Sequence, residues 1–139
     1  MRYVLDSNVG IKWLLTEADS DKAIRIRNDF QRQVHDLIAP DVFPVEVAHS
    51  LTKAERQGRI TPAEGRSHFR SMIAILPALH PYLPLLPRAY ELSSQARIGV
   101  YDCLYVALIE REGCELIRAD ERLKRSLPSH RIVLLSSMP

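Results

Sequence analysis

A chain of 139 residues, 46% hydrophobic and 26% charged with a formal net charge of +2, fits one domain spanning 1–139 and excludes disordered, low-complexity and collagen-like classes. The longest apolar stretch, Met72 to Leu86, carries His80 and is broken by Pro77, Pro81 and Pro84, which excludes a membrane span, and an acid already at Asp6 argues for a cytoplasmic chain without a secretory leader. The lysines are only Lys12, Lys22, Lys53 and Lys124, so arginine dominates the 19 basic residues; this suits a phosphate-bearing partner without selecting one.

Arg2 to Leu5 reads as a buried strand that delivers Asp6 at its carboxyl end and leads into a helical pattern from Val9 to Leu15. Ser20 opens a helix with Ala23, Ile26 and Phe30 as its apolar stripe. Leu37 to Ala39 is a second strand, after which Asp41 is expected to cap a helix that has Pro44 in its first turn and runs to about Gln57. Gly58 ends that helix, and Thr61-Pro62-Ala63-Glu64 is a capping box with proline at the first helical position, so the two helices form a hairpin. A further helix is expected from Arg88 to Ile98, closed by Gly99, with a possible strand at 80–84 before it. Tyr101-Asp102 then opens a helix that is apolar on every face from Cys103 to Ile109, the mark of a central element. Glu115 to Ala119 is a strand ending at Asp120, and Arg131 to Leu135 is the last strand. Strands separated by helices imply an α/β sandwich around a mainly parallel sheet. Cys103 and Cys114 lack metal-motif spacing and are expected as reduced, buried thiols.

Ligands of open parallel sheets gather beyond the carboxyl ends of the strands, where Asp6 and Asp120 both fall. Asp102 sits in the first turn of the most apolar helix, beside Tyr105, Val106 and Ile109, and a carboxylate there needs a cation or a hydrogen-bond partner. Glu46 borders an apolar helix face, one turn after Val42 and Phe43. Each residue also has an ordinary reading: helix caps for Asp6, Asp102 and Asp120, an exposed helix charge for Glu46. Taken jointly, oxygen ligands without His or Cys suit Mg²⁺ or Mn²⁺, ions that activate water for phosphodiester cleavage. His35, His49, His68, His80 and His130 show no ligand spacing.

Four segments resemble the motifs of PIN-domain nucleases: Asp6-Ser7-Asn8 with its following apolar helix, Pro40 to Leu51 with Glu46, Tyr101 to Leu108 with Asp102, and Ala119-Asp120-Glu121-Arg122-Leu123. The nearest likeness is to VapC-type toxins of toxin-antitoxin pairs, and it spans nearly the whole chain. The resemblance implies a PIN-like three-layer α/β/α sandwich, Mg²⁺- or Mn²⁺-dependent endoribonuclease activity on an RNA substrate, a homodimer and a cognate antitoxin. It assigns Asp6, Glu46, Asp102 and Asp120 to catalysis, with Asp6, Asp102 and Asp120 as metal ligands and Glu46 positioning metal or water. One residue departs from the pattern: Arg118 stands two positions before the last acid, where the family often has a small hydroxyl residue. A long cation there has two roles open to it, binding a scissile phosphate or pairing with a site carboxylate and dampening metal binding.

Other acid-bearing folds fit less well. A haloacid-dehalogenase-like phosphatase needs an aspartate where this chain has Asn8. A receiver-type signalling domain expects an acidic pair near the end of the first strand and a lysine after a late one, and neither is evident. The alternative to the nuclease is a noncatalytic PIN-like RNA- or protein-binding module.

Overall fold

Strand β1 (Arg2–Leu5) is the centre of the molecule because Val4 and Leu5 are apolar on both faces and fully buried, as a parallel strand covered on two sides requires. The computed structural model, which describes residues 1–139, pairs β1 in parallel with β2 (Asp36–Pro40) on one side and with β4 (Glu115–Arg118) on the other. Strand β3 (Ala78–His80) adds beyond β2 and β5 (Ile132–Leu134) beyond β4, giving a wholly parallel sheet of order β3-β2-β1-β4-β5. The third strand lies slightly before the expected 80–84 segment, whose prolines instead support a 3₁₀ turn at Leu83–Leu85.

Seven helices cover the sheet: α1 (Ser7–Gly10), α2 (Ser20–Gln31), α3 (Phe43–Arg56), α4 (Pro62–Ala74), α5 (Leu86–Ala96), α6 (Val100–Glu112) and α7 (Glu121–Ser126). The chain steps outward from β1 to β2 to β3, then returns to β4 and steps the opposite way to β5. With right-handed crossovers this reversal puts α5, α6 and α7 on the face opposite α3 and α4, making the three layers of an α/β/α sandwich. The reversal also creates a topological switch point between β1 and β4 at their carboxyl ends. Helix α6 is buried from Cys103 through Ile109 and packs under β1, β2 and β4 as the central helix. Both cysteines are free and buried. No helix is long and apolar enough to cross a membrane.

Several local expectations need correction. The first helical segment breaks after one turn into a 3₁₀ turn at Ile11–Trp13. Val9, Ile11, Trp13 and Leu15 are all buried, and a two-residue spacing cannot lie on one α-helical face, so the tighter, irregular path puts all four in the core. Asp41 does not cap α3, whose N-cap Val42 has no side-chain bond. Its Oδ1 accepts instead from the Tyr82 backbone N–H at 3.0 Å, while its own N–H donates to the His80 carbonyl, so it ties the β2 end to the segment after β3. Helix α5 ends at Ala96 and Arg97, not Gly99, takes the left-handed position (φ 56°); Gly99 is the extended N-cap of α6. The helical hairpin forms as expected, with the reciprocal Thr61–Glu64 capping box in place.

Helices α1 and α3 touch at one tight point. A Cβ on Gly10 would lie 2.5 Å from Cζ of the fully buried Phe43 ring, so only glycine lets the two helices approach this closely.

Candidate active site

All four acids singled out from the sequence stand at helix N-termini, where unpaired backbone N–H groups and the helix dipole favour negative charge. Asp6 is the N-cap of α1 and Asp120 the N-cap of α7, each accepting from the N–H two residues on: Asn8 at 3.1 Å and Arg122 at 2.8 Å. Glu46 lies in the first turn of α3 and Asp102 in the first turn of α6. The capping role open to Asp6 and Asp120 from sequence is therefore the one both display.

Three of the four converge at the switch point. Arg118, at the end of β4, is only 5% exposed and points its Nη1 at Asp6 Oδ2 and, at 3.3 Å, at Asp102 Oδ1. Asp6 is itself 3% exposed, and Asp6 and Arg118 are the only charged side chains in the core. On the other side, Ser7 Oγ lies 3.4 Å from both Asp6 Oδ1 and Glu46 Oε1, and the Tyr105 hydroxyl donates to Glu46 Oε1 at 2.7 Å. Asn8 Oδ1 accepts from the Ala119 N–H at 3.2 Å, bridging the ends of β1 and β4 across the switch point.

Asp120 stands apart. Both its oxygens are taken, by the Arg122 backbone N–H and the Arg122 guanidinium at 3.1 Å, on the solvent side of α7. No three His, Cys, Asp or Glu side chains converge closely enough here to hold a metal ion among themselves.

The electrostatics separate the acids further. Burial pushes the Asp6 carboxyl above its ordinary value against the pull of Arg118, and burial likewise raises Glu46 against the Tyr105 hydrogen bond, with Asp6 and Asp102 adding to the rise. Asp120 is lowered, chiefly by the Arg122 N–H. Burial opposes the charge on Arg118, but Asp6 and Asp102 together hold it on. Tyr105, desolvated and facing Asp6 and Glu46, is raised well above its usual value and stays a neutral donor.

Two clefts flank this cluster. One, of about 510 Å³, is bordered by Ser7, Asn8, Glu46, His49 and Tyr101; the other, of about 450 Å³, by Asp102 and Arg118 together with Arg97, Arg122 and Arg125. Of the two roles open to Arg118 from sequence, the structure displays pairing with carboxylates. Sequence reasoning placed Tyr105 only as an apolar neighbour of Asp102 and did not find its bond to Glu46. The signal was faint: a hydroxyl in an all-apolar helix that must find a partner when buried.

Residues 3–126 match the family model described as PIN domain. The chain is 30% identical over 131 residues to Ribonuclease VapC3 of Pyrobaculum aerophilum, covering 93% of this chain and 97% of that protein. Among solved structures it is similar to VapBC2 from Rickettsia felis bound to a promoter DNA fragment, with a TM-score of 0.69 and 12% identity over 96% of this chain and 98% of that one. A toxin-antitoxin complex from Klebsiella pneumoniae gives a TM-score of 0.62 and 14% identity over 96% and 97%. At such identities the structures speak for the fold.

Proposed function

The chain belongs to the PIN-domain family, and we propose from that premise that it is a metal-dependent endoribonuclease, the toxin of a toxin-antitoxin pair. The observation that carries the chemistry is the meeting of Asp6 and Asp102 on a single cationic nitrogen, Arg118 Nη1, with Glu46 linked to Asp6 through Ser7. The nitrogen is a stand-in: it marks a place where two carboxylates from different strands and helices already accept a positive charge. An all-oxygen donor set fits Mg²⁺ or Mn²⁺. Asp6 and Asp102 would hold such an ion, with Asp120 as a third ligand once freed from Arg122, and the ion would activate water and neutralise charge on a phosphodiester. Glu46, fixed by Tyr105 and Ser7, would hold a water beside the acid pair, and Arg118 would offer its guanidinium to a phosphate oxygen.

A specific observation also favours the noncatalytic reading: Arg118 fills the space between Asp6 and Asp102, so a binding module needs nothing more to be stable. Incubating purified protein, freed of any partner, with structured RNA in Mg²⁺ or Mn²⁺ separates the two. Cleavage abolished by EDTA, by Asp6→Ala and by Asp102→Asn is expected, and cleavage indifferent to all three excludes the metal nuclease.

The partner proposal is an antitoxin segment in the groove of about 380 Å³ between α3 and α4, lined by Ala48, Leu51 and Phe69. On α3, Leu51 is core, whereas Val45 is 67% exposed. Support comes from the Klebsiella pneumoniae complex. Copurification with the product of the neighbouring reading frame is the test. A cytoplasmic homodimer is proposed from the family alone, and light scattering on the purified chain measures its oligomeric state.

A further inference from the structure

The arginine-walled cleft opens directly onto Asp102. Of the charges bordering it, Arg118 and Asp102 are engaged in the buried cluster with Asp6, where two carboxylates face one guanidinium, and Arg122 is held by Asp120. Arg97 and Arg125 remain. Both are exposed and neither has an ion-pair partner, so the cleft carries two unpaired guanidinium groups beside an acidic site. The two unpaired guanidinium groups draw an anion toward their side of the cleft.

The backbone supplies a second, independent sign. Arg97 closes α5 in the left-handed conformation with φ 56° and ψ 46°, a position usually given to glycine because a Cβ is strained there. Gly99, two residues on, has open space around it and negative φ. The chain thus spends its glycine where none is needed and keeps a long cation where glycine would relax the turn. Asp19 and Gln33 share this conformation, and of the three only Arg97 borders the cleft.

We propose that this cleft is a phosphate-backbone subsite for single-stranded RNA, in which Arg97 and Arg125 grip a phosphodiester adjoining the one presented to Asp6 and Asp102. The inference rests on the ribonuclease reading for its ligand, but its chemistry stands on the guanidinium pair: planar forks that pair bidentately with phosphate oxygens and have no carboxylate to satisfy them here. An acidic peptide is the rival ligand. RNA is favoured because the cleft shares Asp102 with the acidic cluster, so its occupant runs straight on into the site where a phosphodiester would react.

The test is fluorescence anisotropy of a labelled single-stranded RNA with the full chain in EDTA, the RNA checked for intactness on a gel. Arg97→Ala with Arg125→Ala should weaken binding about five- to thirty-fold and flatten the slope of log K against log salt by about 1.4, two phosphate contacts at roughly 0.7 each. Arg25→Ala, an exposed arginine on α2 outside the cleft, should change affinity less than about twofold. Arg97→Gly distinguishes use from structure: it should melt at a higher temperature than the parent, because strain is relieved, yet bind RNA more weakly. A double variant that binds like Arg25→Ala overturns the subsite, as does a parent protein that binds no single-stranded RNA. So does a double variant that keeps RNA affinity and loses affinity for poly-glutamate, which assigns the cleft to acidic protein. A cleavage assay on the same preparations keeps the two readings apart: arginine-dependent binding without cleavage removes the nuclease and leaves the subsite, whereas cleavage with arginine-independent binding removes only the subsite.

Discussion

Asp6 and Asp120 are built alike and behave as opposites. Each follows a central parallel strand, each caps the next helix, and each accepts from the N–H two residues later. Asp6 is sealed in the core against Arg118, with its carboxyl raised by burial, whereas Asp120 faces solvent, clasped by Arg122 and lowered. Local backbone geometry thus fixes where an acid is displayed, while the cation beside it and the water around it fix what the acid is worth. Asp6 owes its state to a partner 112 residues away and Asp120 to one two residues away.

The comparison breaks most severely at Asp6. Asp6→Asn keeps a capping side chain but leaves Arg118 buried with Asp102 alone, and should cost about 3–5 kcal/mol in denaturant unfolding, the usual loss when one partner of a buried pair is removed. The same change at Asp120 serves as its control. Arg118→Ala should cost about 3 kcal/mol by leaving Asp6 and Asp102 facing each other. Millimolar Mg²⁺ or Mn²⁺ should restore much of that loss, about 2.7 kcal/mol at a hundredfold excess over the dissociation constant, while the parent, in which the ion must first displace Arg118, gains less. Melting curves with and without metal read this independently of turnover, and a variant blind to the ion argues against the acid pair as a cation site.

Glu46 sharpens the contrast from the other direction. Its carboxyl is raised by burial, so the folded chain holds that proton more readily than the unfolded chain; the associated stability is present at low pH and lost as pH rises through the folded value. Glu46→Gln should therefore stabilise the protein by about 1 kcal/mol at pH 7, a gain that vanishes below the ordinary glutamate range near pH ~4.3. RNA cleavage by the same variant should fall about a hundredfold, so a loss of both stability and activity would mean Glu46 is structural. The smallest effect belongs to Asp120→Asn. The lowered pKa of Asp120 contributes stability above the ordinary aspartate range that is lost as pH falls through the folded value, and for a solvent-facing pair the difference at pH 7 should stay below about 1 kcal/mol.

Much of this was readable from the chain because the rules involved are local. The all-apolar run 103–109, the Thr61–Glu64 capping box and the strand before Asp6 each carry their own signature, and of the four acids Asp6, Asp102 and Glu46 lie together while Asp120 stands apart. What was illegible depended on contacts between distant segments. Asp41 looks like a cap until the Tyr82 N–H, brought alongside by β3, competes for it. Asn8 is only a motif residue until β4 arrives with the Ala119 N–H. The turn between α5 and α6 is set by Arg97 although Gly99 is the residue that advertises a turn. Arg118 was recognised as a departure, but only the fold shows that one nitrogen reaches two acids.

The missing carbon at Gly10 has a reach beyond packing. Phe43, the ring that fills its place, begins the same helix turn that presents Glu46, while Gly10 ends the helix that Asp6 caps. The separation of two clustered acids is thus gauged by a contact in which neither takes part, a spacer of zero thickness between their carriers. Thickening it by a single methyl, as in Gly10→Ala, would act as a misadjusted calliper: every charge still present, and the opening between them set wrong.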